Sequence, residues 1–198
     1  FSKVLTKLRL SSSIRHQYRI ARKRWLQPYW NKQIEMKEII ELSDKKLTIG
    51  RNEFLKVSGS IDTNLYFVES GSLRIFVLDD YEEQIIRFGY KSNLIVSLDS
   101  FLTGNPSDLY IQAIKKSVVK VVTKEQINKF LESEISRNLW TKILEDLVLQ
   151  QMEREIDILT NSPKERYERV LKRSPQLFQE IPNRHIANYL IVTGNLMT

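Results

Sequence analysis

The stretch Asn64-Leu65-Tyr66-Phe67-Val68-Glu69-Ser70-Gly71-Ser72-Leu73-Arg74-Ile75-Phe76-Val77-Leu78 decides how the chain is read. Two runs rich in β-branched and aromatic residues flank Glu69-Ser70-Gly71-Ser72. Gly71 stands where a left-handed backbone costs least, so the expectation is strand, turn, strand: a hairpin around Gly71. On the N-terminal side, Leu47-Thr48-Ile49 and Phe54-Leu55-Lys56-Val57 read as short strands punctuated by Gly50-Arg51-Asn52 and Ser58-Gly59-Ser60. On the C-terminal side, Asp79-Asp80 turns into a strand near residues 84–88, and further strands are expected at 109–114 and 118–122. Six or more short strands spaced about ten residues apart argue an antiparallel jelly roll or barrel rather than alternating strands and helices. Residues 94–104 interrupt the strand pattern and are the natural place for a ligand loop.

A short helical pattern at residues 34–42 precedes the strands, and from Glu125 to about Asn161 the period is helical again. Leu144, Val148, Met152, Ile156 and Leu159 follow one another at spacings of 4, 4, 4 and 3, and Leu139, Ile143 and Leu147 widen that stripe. A helix with such a face must bury it. Burial against a second copy, giving a homodimer, is the expectation, with packing inside its own chain as the alternative. Ser162-Pro163-Lys164-Glu165 starts another helix, with Ser162 as cap and Pro163 at the first helical position, and the helix stops before Pro175. Pro182-Asn183 opens a last one carrying Ile186, Ala187, Tyr189 and Leu190. The expected fold class is α+β: a jelly roll, a long dimerisation helix and a partial helical unit. The segments are a basic arm at 1–33, a jelly-roll domain at 34–124, the long helix at 125–161 and the helical unit at 162–198.

The 198 residues contain 31 Lys and Arg against 24 Asp and Glu, a formal charge of +7. That excess belongs to the arm: residues 1–33 hold nine basic residues and no acidic one, leaving 22 basic and 24 acidic residues in the body. Trp25, Tyr29 and Trp30 favour a docked arm, and a basic helix packed on its own domain stands ahead of nucleic-acid contact through phosphates and stacked bases. Phe1 is not an initiator residue, so the chain is expected to begin upstream. With no cysteine, disulfides, thiolate zinc sites, cysteine-ligated clusters and cysteine nucleophiles are excluded, and a reducing compartment is indicated. No apolar run reaches the roughly 18 residues of a membrane span and the N-terminus lacks a secretory core, so a cytoplasmic protein without a membrane partner is expected. His16 and His185 have no ligand or base partner at useful spacing. No Gly-rich phosphate loop, nucleophile elbow or paired-carboxylate motif is present. Neither an enzyme nor a cofactor is expected.

The order of parts, with the aromatic-Val-x-x-Gly segment Phe67-Val68-Glu69-Ser70-Gly71, resembles the Crp/Fnr transcriptional regulators. Ser162-Pro163-Lys164-Glu165-Arg166-Tyr167-Glu168-Arg169-Val170-Leu171, with Ser174-Pro175, Ile181-Pro182 and His185-Ile186-Ala187-Asn188-Tyr189-Leu190, is similar to the hinge and first helix of that family's winged helix-turn-helix, particularly in the branch common in Bacteroidetes. The resemblance covers roughly residues 40–198. It implies a cyclic-nucleotide-binding-like sensor domain, a homodimer, and DNA as partner of the full-length protein. Two departures qualify it. Where cyclic-nucleotide binders carry a ribose-supporting Glu and a phosphate-pairing Arg, Ser97 and Ser107 stand here, with Asp99 and Asp108 placed to repel a phosphate. The resemblance therefore implies an unknown effector rather than a conventional cyclic nucleotide. Ser97, Leu98, Asp99, Ser107 and Asp108 are the candidate pocket residues, with plain loop polars as the alternative reading. Absent cysteine also removes the family's iron–sulfur sensing.

The second departure concerns DNA. Asn183, Arg184, Thr193, Asn195 and Thr198 are the candidate contacts, although a cap, a surface charge and a turn hydroxyl explain Asn183, Arg184 and Thr193 about as well. After the first helix the family places Gly, at a turn that wants positive φ, and Ile191 occupies that position. The chain ends before the Arg expected to read bases, which implies either a continuation past Thr198 or a sensor module that has lost specific DNA binding.

Overall fold

Strand β3 (Leu65–Asp79) runs unbroken through Gly71, so the expected hairpin is one long bent strand. Gly71 takes φ +85°, and the register of β3 against β6 (Tyr110–Val122) slips between Val68 and Ser70, between Ser70 and Ser72, and again before Leu73. These slips are bulges that bend the strand. Close approach explains why glycine is needed: a Cβ on Gly71 would lie 2.4 Å from the Lys116 carbonyl oxygen. β6 is likewise continuous across Lys115-Lys116-Ser117, where the sequence predicts two strands. The two pauses in the pattern face each other across the sheet, and together they form the corner of the roll. Before the corner β3 pairs with β5 (Leu94–Val96), and after it with β4 (Glu82–Tyr90), the turn between β3 and β4 passing through Asp80.

The computed structural model describes residues 36–80 and 82–191. The chain divides into two compact units, Phe1–Ile39 and Ile40–Thr198. Residues 36–39 are helical. The arm at 1–33, its docking aromatics and the start of the first expected helix lie outside the described residues.

In the second unit the sheet order is β1 (Lys45–Ile49), β6, β3, β4, with β2 (Phe54–Lys56) on β6 and β5 on β3, every pairing antiparallel. This is the expected jelly-roll type. Its core is filled by alternating inward residues, among them Tyr66, Val68, Leu73, Ile75, Ile111 and Val119. The interrupted segment holds β5 and a short helix, α1 (Leu98–Thr103), closed by Gly104 in the left-handed conformation.

The single helix expected over 125–161 is two: α2 (Lys124–Phe130) and α3 (Glu134–Leu159). The Ser133 hydroxyl accepts from the Ser136 N–H and so starts a new helix where the hydrophobic period alone would have continued. α3 buries Leu139, Trp140, Ile143 and Leu147, and the Trp140 ring lies 5.7 Å from Phe101 of α1. The predicted stripe therefore divides: its second row, Leu139, Ile143 and Leu147, is buried, whereas in the first row Leu144 is half-buried and Val148, Met152, Ile156 and Leu159 are 54%, 51%, 45% and 78% exposed.

α4 (Pro163–Arg173) begins as read, with the Ser162 hydroxyl accepting from the Glu165 N–H and Pro163 in the first turn. It is followed by α5 (Leu177–Glu180) and α6 (Asn183–Tyr189). These helices do not stand apart from the roll. Val170, Leu177, Ile181, Ile186, Tyr189 and Leu190 share one apolar cluster with Phe76, Ile85, Phe88 and Ile114 of the sheet.

Candidate functional site

The α1 loop brings three of the predicted pocket residues onto one carboxylate. Ser97 and Ser107 are buried, and Asp99 between them is exposed. The Ser97 hydroxyl donates to Asp99 Oδ1 at 3.0 Å, and the Ser107 hydroxyl bonds the same carboxylate. Burial pushes the Asp99 carboxyl up, but hydrogen bonds from Ser107, the Ser100 backbone, Ser97 and its own backbone outweigh it and leave it below the ordinary carboxylate value. Ser97 and Ser107 are thus engaged by an internal anion. Leu98 is half-buried beside them, and Asp108 is exposed on the rim of a neighbouring cleft of about 490 Å³ that Tyr110, Val77 and Gln84 also line.

Lys56, expected from its sequence context only as a strand residue, stands at the centre of this region. It is buried, and its Nζ donates to the carbonyls of Val57 (3.1 Å), Ser107 (3.0 Å) and Leu109 (3.0 Å). Burial lowers its pKa, while Asp62, Asp99 and Asp108 act in the opposite direction. Asp62 is held in turn by Tyr66, whose hydroxyl donates to both carboxylate oxygens at 3.1 and 3.0 Å, and its N–H donates to the Ser100 hydroxyl at 2.9 Å. Burial, with Asp62 next to it, pushes the Tyr66 phenol far up. The one buried cation here has its donors spent on backbone, so this chemistry welcomes no phosphate. The available signal was Lys56 itself, a charge inside an otherwise apolar strand.

A second arrangement lies where α6 meets β4. The Asn188 side chain bonds the backbone of β4 at two points: its Oδ1 accepts from the Ile85 N–H at 3.0 Å, and its Nδ2 donates to the Glu83 carbonyl at 2.7 Å. Arg154 of α3 donates to the Ile85 carbonyl at 2.9 Å and lies 3.8 Å over the Tyr189 ring, its buried Nε left without a partner. Next to this contact is a cleft of about 380 Å³ lined by Arg74, Glu83, Ile85, Arg184, His185 and Asn188. Arg74 grips the Glu83 carboxylate with two nitrogens and Gln112 Oε1 at 3.0 and 2.6 Å. Arg184 Nε donates to His185 Nε2 at 3.3 Å. Burial, then the charges of Arg74 and Arg184, against a smaller opposing effect of Glu83, bring the His185 pKa down to about 4, so the imidazole is neutral.

Among the predicted DNA contacts, Asn183 and Arg184 are exposed at the start of α6, where Pro182 and not Asn183 is the cap. Thr193, Asn195 and Thr198 lie outside the described residues. Ile191 takes φ +53°, the conformation for which its β-branched side chain is least suited. Arg166, buried, fastens this end: its Nε donates to the Leu190 carbonyl at 2.8 Å and its Nη2 to the Ile191 carbonyl at 3.0 Å. α3 and α4 are tied by a charge network in which fully buried Asp157 receives Arg169 and Arg173, with Glu153 beside it.

Residues 46–134 match the profile of the family described as the cyclic nucleotide-binding domain. The matched residues run from β1 through the roll to the first residue of α3. Among solved structures, FixK2 from Bradyrhizobium japonicum superposes with a TM-score of 0.60 at 18% identity, over 75% of this chain and 78% of its own. The c-di-GMP-responsive global regulator CLP of Xanthomonas campestris superposes with a TM-score of 0.58 at 11% identity, over 82% of this chain and 86% of its own. At these identities the likeness speaks to the fold of the cyclic nucleotide-binding domain and the helices after it. No curated protein sequence matches the chain. Among the described residues, no helix is long and apolar enough to cross a membrane, and no group of three or more His, Cys, Asp or Glu could hold a metal ion.

Proposed function

We propose that the chain is a non-enzymatic, cytoplasmic transcription regulator of the Crp/Fnr type, which acts as a homodimer on DNA and senses an effector other than a conventional cyclic nucleotide. The observation that carries the reading is the uncovered apolar row Val148, Met152, Ile156 and Leu159 on the helix that links a cyclic nucleotide-binding domain to a terminal helical unit. Two such rows packed together would bury each other and place the two terminal units side by side, as a two-fold DNA site requires. In the terminal region Lys164, Lys172 and Arg184 are the exposed cations that support DNA as partner, since Arg166 is spent on backbone carbonyls and Arg169 and Arg173 on Asp157 and Glu153. The α1 loop supports the effector reading, since Asp99 and the spent ammonium of Lys56 oppose a phosphate. The division into sensor, dimer helix and DNA unit at 34–124, 125–161 and 162–198 belongs to the same proposal.

A second reading keeps the fold and drops DNA: a sensor or interaction module, favoured by Ile191 in a left-handed turn and by terminal helices that share the core of the roll. Sedimentation equilibrium and titration of the full-length protein with mixed-sequence duplex DNA separate the two. The regulator reading expects a dimer that Met152→Glu dissociates, and duplex binding that weakens with salt. A monomer, or no binding in low salt, refutes it. Calorimetry with cyclic AMP is expected to show no micromolar binding.

A further inference from the structure

The cleft of about 380 Å³ at the start of α6 is lined from three elements: Arg74 from β3, Glu83 and Ile85 from β4, and Arg184, His185 and Asn188 from α6. Its size is that of a small-ligand site. Most of its polar atoms are already engaged. The Arg74 guanidinium holds both Glu83 carboxylate oxygens and Gln112 Oε1, and the Asn188 amide is spent on the backbone of β4. Arg184 is the exception. Among the described residues its Nε alone has a partner, His185 Nε2 at 3.3 Å, and its two Nη groups, a planar fork of donors, have no protein acceptor.

That Nε bond fixes what a surface arginine ordinarily leaves free. His185 is buried, so the group that accepts from Arg184 is itself held by packing and sets the plane of the guanidinium. Acceptance at Nε2 requires the neutral imidazole with its proton on Nδ1. Arg74 and Arg184 each act on that imidazole more strongly than Glu83 acts in the opposite sense, so the potential there is positive even though a carboxylate lines the cleft. A guanidinium meets two oxygens of an oxyanion with two parallel bonds, and one already oriented loses little further side-chain freedom in doing so.

We propose that the cleft binds a small oxyanion of the phosphate class, held by the Nη fork of Arg184, with His185 as the positioning residue and Arg74 as a supporting charge. The site shares no residue with the α1 loop and stands whether or not the protein binds DNA. A duplex backbone carries the same oxygens, and the experiment separates the two sources.

The test is titration of the full-length protein with inorganic phosphate, read by calorimetry and phosphorus NMR, against chloride at equal ionic strength. Saturable binding of phosphate is expected. Because the chain has two histidines, the His185 ring signals are identified as those absent from His185→Gln, and they are expected to move with phosphate. Arg184→Gln, at an exposed position, is expected to weaken phosphate about ten- to hundred-fold, the size of a charge-assisted pair. His185→Leu removes the acceptor and is expected to weaken it about five- to ten-fold, whereas His185→Gln, whose side-chain oxygen can accept from the same Nε, keeps it. Phosphate that behaves as chloride does, or undiminished binding in Arg184→Gln, overturns the site. Equal affinities in His185→Leu and wild type overturn the positioning role. A mixed-sequence duplex that loses affinity in Arg184→Gln while inorganic phosphate does not bind assigns the fork to a nucleic-acid backbone and overturns the small-ligand site.

Discussion

Gly71 and Ser117 meet at the corner of the roll, where a Cβ built on Gly71 would stand 2.3 Å from the Ser117 hydroxyl oxygen and 2.6 Å from its Cα. Backbone is in the way as well as a side chain, so shortening Ser117 does not make room. Gly71→Ala combines that overlap with a φ of +85° and is expected to lower stability by about 2–4 kcal/mol. Urea titration checks this, and a loss below about 0.5 kcal/mol would mean that β6 yields freely at Lys116 and Ser117.

Lys56→Met removes the donor shared by the backbone carbonyls of Val57, Ser107 and Leu109. With those acceptors left buried and Asp62 and Asp99 deprived of the nearby cation, a loss of about 2–4 kcal/mol is expected in thermal or denaturant unfolding. A variant as stable as the wild type would show that water reaches the site and that Lys56 is not its keystone.

Much of the fold follows from local pattern. Strand positions, the Ser162 cap with Pro163, and the switch to helical period after Val122 were legible because each is written in a few adjacent residues. The corner of the roll was not. Glu69-Ser70-Gly71-Ser72 has the composition of a tight turn, and only the distant Lys115-Lys116-Ser117 pairing turns it into a bulge within one strand. Ser133 broke the long helix through a cap that hydrophobic period cannot register. Of the residues the fold gathers at the candidate site, Ser97, Asp99 and Ser107 are among those expected from the sequence, whereas Lys56, Asp62 and Arg154 are not. Their roles depend on contacts with residues 38 to 69 positions away, across the fold.

His185 makes stability depend on pH in a definite direction. Its folded-state pKa, about 4, lies below the ordinary 6.5, so between these values the unfolded chain binds more protons and stability falls as pH drops. The contribution is fully present above about 6.5 and lost towards 4. Access of solvent through the cleft reduces the expected loss to roughly 1–2 kcal/mol. Unfolding midpoints across that range for wild type and His185→Gln report it: the variant should lack this component, and parallel curves would count against a buried neutral imidazole.

Ile191 pays an avoidable conformational penalty. At φ +53° a β-branched residue costs of the order of 1–2 kcal/mol, and glycine avoids the clash at some cost in chain entropy. Ile191→Gly is expected to raise stability by about 0.5–1 kcal/mol, read from the denaturation midpoint, because the half-exposed side chain gives up little packing. A destabilised variant would instead assign Ile191 a packing role that outweighs its strain.

The side-chain cover over Ile85 and Glu83 also has a consequence for solubility. β4 is the last strand of its sheet, and its outward amide and carbonyls are capped by Asn188 and Arg154 in place of another strand. Any state in which α6 moves away bares the Ile85 N–H and the Glu83 carbonyl, ladder groups flanked by Ile85, Ile86 and Phe88 and open to strand addition between molecules. The cap is therefore also a guard against aggregation.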